Sequence, residues 1–240
     1  KLRIYPLSRN ISYTLNGNVL SFVLNDYVDL TIDPNGDKRK VLHLFINEPE
    51  KEIPDENDPS VLYYGPGLHN IESLEMKSGQ TLYLAGGAVL QPSPPIRSSK
   101  KTSVYPAARQ GKPMYFTAEP SVSGDGIEHI TIRGRGILSG LPKLEGKKRS
   151  NLLYLSNSSH IDVRDIVLTD NTAWNIHLRR CSNVTLDRVR IIGSFPNTDG
   201  FCFNGCTNSS ARNCFAHIYD DCFEVKVFDR DVTSHDSLVE

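Results

Sequence analysis

The stretch Asn183-Val184-Thr185-Leu186-Asp187-Arg188-Val189-Arg190-Ile191 decides the fold, because segments with the same pattern recur on both sides of it. These segments cover residues 128–137, 160–168 and 208–216. The residues that mark the repeats, His129, His160, Asn183 and Asn208, follow one another at intervals of 31, 23 and 25 residues. Such a period, with several short strands per repeat, predicts a right-handed parallel β-helix whose coils bury their apolar faces by stacking.

Matched places in these repeats carry apolar side chains, which are expected to stack inside the coils. One matched set is Val163, Leu186 and Ala211, and the other is Ile166, Val189 and Cys214. A second strand precedes each repeat, at residues 152–155, 174–178, 201–203 and 222–225. Asn183 and Asn208 then fall at the corner between strands, where asparagine tolerates a left-handed backbone.

The first part of the chain has a different pattern. Short alternating apolar runs flank Asn16-Gly17, a dipeptide typical of hairpin turns. We predict a small antiparallel β-sandwich over residues 1–60, and we favour a cap on the β-helix over a carbohydrate-binding module. The acidic, proline-bearing residues 48–59 are the predicted linker, and residues 61–240 are the predicted β-helix. Residues 92–126 interrupt it as a long excursion, either a functional loop or a disordered insertion.

Composition excludes several classes of function. The chain has 27 basic and 28 acidic residues and no long basic run, which argues against a nucleic-acid partner. No stretch approaches the roughly 18 uninterrupted apolar residues of a membrane span, so we expect no membrane partner. Five cysteines make an odd count, and we interpret them as buried thiols in a β core in preference to a metal site.

Three carboxylates fall at the starts of two consecutive coils. Asp199 lies nine residues before Asn208, as Trp174 lies nine before Asn183, and Asp220-Asp221 opens the next coil 21 and 22 residues later. Strands of adjacent coils are about 4.8 Å apart, so the three carboxylates are expected to lie close together on one face. Close like charges give a protonated acid beside ionised bases, as glycosidic-bond cleavage requires. The alternative is that these aspartates only form turns before strands.

Four motifs together resemble glycoside hydrolase family 28, the polygalacturonase family. They are Asn197-Thr198-Asp199-Gly200, Asp220-Asp221-Cys222 with Lys226 following, Trp174-x-Ile176-His177, and Gly134-x-Gly136-x-Leu138-x-Gly140. The resemblance implies an inverting hydrolase of pectic polysaccharide on a right-handed parallel β-helix, with no metal and no cofactor. It further implies that Asp220 is the general acid and that Asp199 and Asp221 hold and deprotonate the attacking water.

The resemblance also suggests residues that contact the substrate. Asn197 and Lys226 are expected to orient or bind groups around the three aspartates. His177 lies one coil before Asp199, and it either lines the cleft or is a structural histidine within the repeat. Tyr219 either stacks on a sugar ring or packs against the protein. An enzyme of this kind is expected to be secreted or periplasmic and monomeric, which is inferred from function alone.

Two features of the family are missing from the chain. The family has a Gly-His-Gly on the next coil and an Arg-x-Lys beyond it, and neither motif occurs before Glu240. The basic pair would bind a uronate carboxylate, so its absence leaves the substrate open, and we expect the chain to be a fragment. Alternatives are a dextranase-like hydrolase of neutral glucan, as in family 49, a lyase on the same fold, and a β-helix that only binds or displays a surface.

Overall fold

The computed structural model describes residues 2–93, 119–141, 149–229 and 233–239. The chain divides into two compact units, Lys1–Glu52 and Ile53–Glu240. The division falls within the proline-bearing stretch that was predicted as the linker, eight residues before the predicted boundary at residue 60. Each unit has its own apolar core.

The first unit is built from antiparallel strands. Its strands are β1 (Arg3–Tyr5), β2 (Tyr13–Asn16), β3 (Val19–Phe22), β4 (Asp29–Asp33) and β5 (Leu42–Phe45), with a 3-10 turn at Leu7–Arg9. The strands β1, β4 and β5 form one sheet, and β2 and β3 form a hairpin around Gly17, which has φ +58°. Apolar residues of both sheets, including Phe22 on β3 and Leu30 on β4, share one small core.

The second unit is a stack of coils, each with three short strands. In chain order the strands are β6 (Val61–Tyr64), β7 (Gly67–Ile71), β8 (Leu74–Glu75), β9 (Thr81–Leu84), β10 (Ala88–Pro92), β11 (Val122–Asp125), β12 (Glu128–Gly134), β13 (Ile137–Ser139), β14 (Leu153–Ser156), β15 (Ser159–Arg164), β16 (Val167–Thr169), β17 (Ile176–Arg179), β18 (Ser182–Asp187), β19 (Arg190–Ile192), β20 (Phe201–Asn204), β21 (Thr207–Arg212), β22 (Phe215–His217), β23 (Phe223–Lys226) and β24 (His235–Val239).

Strands at the same place in successive coils pair in parallel and form three sheets. The first sheet runs from β6 to β24, the second from β7 to β22 and the third from β8 to β23, each taking every third strand. This arrangement confirms the predicted parallel β-helix. Each coil lies on the next, so a residue in one strand has a register partner about one strand spacing away in the next coil.

The register matches the repeat that the sequence shows. Val163 pairs with Leu186, and Leu186 pairs with Ala211, and all three are buried in the core. The corner residues are also as predicted, because His160, Asn183 and Asn208 have φ angles of 53°, 53° and 47°. Asparagine and histidine adopt this left-handed conformation at lower cost than branched residues, so the sequence marks each corner.

The predicted excursion over residues 92–126 is too long at its C-terminal end. Strand β11 lies within it and pairs with β8 on one side and β14 on the other, so residues 122–125 belong to the stack. The sequence there, Val-Ser-Gly-Asp, contains a single large apolar residue, and only tertiary packing buries Val122 completely. Residues 94–118, where most of the excursion was predicted, lie outside the described residues.

The described part of the chain contains no helix that is both long and apolar enough to cross a membrane.

Candidate active site

The predicted aspartates lie on the third sheet, where β20 and β23 begin. The Gly200 N–H donates to the carbonyl of Asp221 at 2.9 Å, and the Phe201 N–H donates to the carbonyl of Cys222 at 3.0 Å. This ladder places Asp199 beside Asp221 on adjoining coils, as the spacing predicted. A Cβ atom at Gly200 would overlap the carbonyl of Cys222, which explains the glycine after Asp199.

Four charged side chains meet at this point. The carboxylate oxygens of Asp199, Asp221 and Glu224 all lie within 4.8 Å of one another. The ammonium group of Lys226 donates to Glu224 Oε1, and its Nζ atom lies 3.8 Å from Asp199 Oδ2. The side chains of Asp199 and Glu224 are 7% and 2% exposed, whereas Asp221 is open to solvent. The group is therefore two buried carboxyls and one open carboxyl around a single cation.

Burial changes the proton affinity of the two inner carboxyls. Burial is the largest influence on Asp199 and raises its pKa. The hydrogen bond with Glu224 and the charge of Lys226 lower this pKa, whereas the charges of Asp220 and Asp221 raise it. Burial also raises the pKa of Glu224 to about 8, with a further contribution from Asp199. Burial disfavours the charge of Lys226, but its hydrogen bond to Glu224 and the nearby charges of Glu224 and Asp199 together outweigh that effect and raise the pKa of Lys226. At neutral pH the group therefore holds a charged lysine and a proton on a buried carboxyl.

Asp220 lies at the exposed edge of this group. Its Oδ1 atom accepts a hydrogen bond of 3.1 Å from the N–H of Asp221. Asp220 is the chain neighbour of Asp221, and its charge contributes to the raised pKa of Asp199. Asp220 thus faces solvent, the direction from which a polymer would arrive, while Asp199 lies behind it.

Aromatic rings cover one side of Lys226. Its Nζ atom lies 5.1 Å from the ring centroid of Trp174 and 6.0 Å from that of Phe228. The two rings stack on each other with a centroid distance of 6.2 Å. Cation–π contacts of this kind favour a fixed ammonium position and contribute about 1 kcal/mol each. The lysine that touches both buried carboxyls is therefore held from two directions.

His177 lies beneath Trp174 and has no exposed surface. The indole ring packs edge-on against the imidazole at 4.6 Å, and Asn151 Nδ2 lies 3.2 Å from His177 Nδ1. Burial lowers the pKa of His177 to about 3, so the ring is neutral at neutral pH. The sequence left open whether His177 lines the cleft or is a structural histidine, and the fully buried ring favours the structural alternative. The imidazole packs against the indole ring of Trp174 and supports it from below.

The other two predicted binding residues present their side chains to solvent. Asn197 is exposed two residues before Asp199 and has a φ angle of 62°. Tyr219 directly precedes Asp220 and is 68% exposed. Both positions are compatible with contact to a substrate beside the aspartates.

Glu224 is the member of the site that the motifs did not indicate. It lies within the motif region but belongs to none of the patterns that define the resemblance. Strand alternation was the available signal, because residues two apart on a strand point to the same face, and Lys226 is two residues from Glu224. The sequence could not show that this face is covered, so the importance of a second buried carboxyl was missed.

Among the residues that the structure describes, two groups of side chains have the geometry of metal ligands. In Asp199, Asp221 and Glu224 the ammonium of Lys226 already supplies a positive charge, and we assign no metal there. The second group, Glu128, His129 and His160, lies exposed at the corner of the first sheet, where the two imidazole rings stack at 4.5 Å. The histidine stack follows from the register of two consecutive corners, so it has a structural explanation.

Comparison with known proteins supports both the motifs and the fold. The sequence profile of glycosyl hydrolases family 28 matches residues 73–237. A probable polygalacturonase from Vitis vinifera is 27% identical over 178 residues. That alignment covers 69% of this chain and 36% of the grape protein, so the chain spans about a third of the relative's length.

Solved structures show the same architecture. The polygalacturonase from Erwinia carotovora superposes with a TM-score of 0.60 at 14% identity, over 72% of this chain and 52% of that one. The exopolygalacturonase from Thermotoga maritima gives a TM-score of 0.54 at 17% identity, over 75% of this chain and 52% of that one. At these identities the likeness concerns the fold.

Proposed function

The chain belongs to glycosyl hydrolases family 28, and on that premise we propose that it is a polygalacturonase-like hydrolase that cleaves pectic polysaccharide with inversion. The family profile and the grape relative, a probable polygalacturonase, support the pectic substrate. We assign catalysis to the second unit, since Asp199, Asp220 and Asp221 all lie in it. Because its polymeric substrate lies outside the cytoplasm, we infer that the enzyme is exported, and we infer that it acts as a monomer.

The observation that carries the proposal is the apposition of Asp199 and Asp221 on adjoining coils. Their carboxylate oxygens lie within 4.8 Å of each other. Two hydrogen bonds of about 2.8 Å from one water span up to about 5.6 Å, so a single water can bind to both carboxylates. A water held in this way is oriented and partly deprotonated, as an inverting hydrolase requires.

The reaction then needs one acid and one base. Asp220 donates its proton to the glycosidic oxygen as the bond from that oxygen to the anomeric carbon breaks. The water between Asp199 and Asp221 attacks the anomeric carbon from the opposite side, and one of the two carboxylates accepts the water proton. The new C–O bond forms with inverted configuration, and the displaced sugar leaves as an alcohol. Asn197 and Tyr219 are the proposed contacts to the sugar.

Lys226 argues against the lyase alternative. A lyase would need a neutral base to remove a ring proton, whereas Lys226 is hydrogen bonded to Glu224 and its pKa is raised. Its charge instead compensates the two buried carboxyls. We therefore give Lys226 the role of holding Asp199 in place, and no observation favours elimination over hydrolysis.

The test is the variant Asp220→Asn in the complete protein. Release of reducing ends from polygalacturonate is expected to fall at least about a hundredfold, because general acid catalysis typically contributes 10²–10⁴-fold. Binding of oligogalacturonate, measured by calorimetry, is expected to persist. Asp236→Asn is the matched control, since Asp236 has a 75% exposed side chain in β24 on the first sheet, away from the site.

The products of the unmodified protein provide a second test. Proton NMR of the first-formed anomer is expected to show inversion, and retention would contradict the roles of Asp199 and Asp221. Undiminished hydrolysis by Asp220→Asn would refute the assignment of the acid. Products with the ultraviolet absorbance of unsaturated uronides would instead establish a lyase.

A further inference from the structure

Glu224 ends a row of register partners along the third sheet. The row has one residue from each of six coils: Glu75, Ser123, Tyr154, His177, Cys202 and Glu224. Its two carboxylates lie at opposite ends of the row and in opposite environments. Glu75 is exposed, whereas the side chain of Glu224 is 2% exposed. Because Glu75 occupies the same register position and is exposed, that position does not explain why the Glu224 carboxyl is buried beside the aspartates.

The charges around Glu224 do not balance if every group is ionised. Asp199, Asp221 and Glu224 would bring three negative charges within 4.8 Å, and Lys226 is the cation in contact with them. One carboxyl of such a group is expected to keep a proton, and burial selects the carboxyl farthest from solvent. Glu224 is the most covered of the three.

One oxygen of Glu224 needs a proton for a second reason. Glu224 Oε1 accepts from Lys226, but Oε2 is buried and has no hydrogen-bond partner among the described residues. An ionised oxygen without a partner in a dry site is much more costly than a hydroxyl, which can donate to a neighbour. The nearby carboxylate of Asp199 is the acceptor that such a hydroxyl would meet.

We propose that Glu224 is a positioning residue that keeps a proton in the working enzyme and donates it in a hydrogen bond to Asp199. This inference rests on the proposed hydrolysis, in which Asp199 holds the attacking water. The donated hydrogen bond and the contact with Lys226 orient the Asp199 carboxylate from two sides and keep it ionised. When Glu224 loses its proton, two charged carboxylates repel each other at the water site, and hydrolysis is expected to slow.

The titratable groups around Glu224 act in the direction that the inference needs. Burial and Asp199 raise the pKa of Glu224 to about 8, and Asp221 adds to the effect while Lys226 opposes it. Cys202, its register partner, is buried with a raised pKa and is neutral. His177, the next residue of the row, is also neutral. Among the described residues named here, Lys226 is the cation that contacts Glu224.

The first test does not depend on activity. In protein labelled with ¹³C at its side-chain carboxyls, the Glu224 signal is assigned by its loss in Glu224→Gln. It is expected to titrate at least about two pH units above an ordinary glutamate. Glu224→Ala should raise the pKa of Asp199 more than Glu224→Gln does, because only glutamine can still donate to Asp199. Glu75→Gln is the matched control from the exposed end of the same row.

The second test is the pH profile of kcat/KM on polygalacturonate. Beyond the alkaline decline that a general acid gives in any case, the unmodified enzyme is expected to lose a further tenfold or so, about one decade per pH unit, above the pKa of Glu224. Glu224→Gln should lose this additional decline and keep the one that the general acid gives, whereas Glu75→Gln should keep both. A purely structural role of Glu224 would instead lower activity at all pH values and leave the additional decline in place.

Each outcome decides one question. A Glu224 signal that titrates like an ordinary glutamate, or an alkaline decline that is as steep in Glu224→Gln as in the unmodified enzyme, would overturn the inference. Equal pKa values of Asp199 in Glu224→Ala and Glu224→Gln would overturn the hydrogen bond to Asp199. If the unmodified protein does not hydrolyse polygalacturonate, the proposed function fails, while the NMR titration still decides whether Glu224 keeps its proton.

Discussion

The contact of Lys226 with Asp199 gives a prediction that can be worked out from the structure. Replacing Lys226 by methionine keeps an unbranched apolar side chain beside Trp174 but removes the ammonium group. Asp199 and Glu224 then lose the positive charge that both of them contact. We expect the pKa of Asp199 to rise further, since Lys226 is one of the two groups that lower it.

The size of the effect follows from the distance. At the 3.8 Å between Nζ and Asp199 Oδ2, two unit charges interact by about 4 kcal/mol at an effective dielectric constant near 20. Lys226 is 30% exposed, and we take solvent screening to remove about half of this energy. The remainder of about 2 kcal/mol corresponds to about 1.5 pH units.

The assay combines kinetics with stability. In Lys226→Met the acidic limb of kcat/KM on polygalacturonate is expected to move up by about 1.5 pH units. The loss of unfolding free energy, measured with urea, should grow as the pH rises. At low pH the carboxyls are neutral in both proteins, and the ammonium then has no charged partner to lose.

The controls separate charge from packing. Lys226→Arg keeps the positive charge, so its acidic limb and its unfolding free energy should stay close to those of the unmodified protein. Lys77→Met removes a charge from an exposed lysine of the same unit and controls for the loss of a charge away from the site. Loss of the contact with Trp174 should add a destabilisation of about 1 kcal/mol that does not vary with pH. An acidic limb that stays in place, together with a pH-independent loss of stability, would refute the electrostatic role of Lys226.

Three further predictions concern the scaffold. Gly134 has φ +129°, and a Cβ atom added there would overlap the carbonyl of Leu84. Gly134→Ala should therefore destabilise the protein by about 3 kcal/mol or more in urea unfolding. Arg179→Met removes the ion pair of 2.6 Å with Asp229, whose side chain is 10% exposed, and should cost about 3 kcal/mol in the same measurement, with Arg179→Lys less damaging. His177 has a pKa of 6.5 in the unfolded chain and of about 3 in the folded protein, so stability should fall as the pH drops through this range. In His177→Gln the urea midpoint should depend less on pH between about pH 7 and about pH 4.

The sequence predicted the coil repeat and the place of the aspartates within it. Both depend on local signals, namely the apolar pattern of each strand and a corner residue that accepts a left-handed backbone, as at Asn183 and Asn208. Because parallel coils repeat these signals at a nearly constant interval, counting residues was enough to place Asp199 one coil before Asp221.

The environment of the outer face could not be read in the same way. His177 and Glu224 alternate with inward-facing residues of their strands, and on an open surface both would be solvated. Instead Trp174 and Phe228 lie over this part of the third sheet, and Cys202 shares an apolar cluster with them. The two rings of that cover are 54 residues apart in the sequence (228 − 174), and they meet only when successive coils stack.

The sequence by itself therefore determined the parallel β-helix and the alignment of Asp199 with Asp221, because strand pattern, corner residues and repeat interval are all local properties of the chain. Only the tertiary structure decided that His177 is a buried support and that Glu224 joins the aspartates. The proton affinity of a side chain depends on its burial and on the charges within a few ångströms of it, and folding alone creates both.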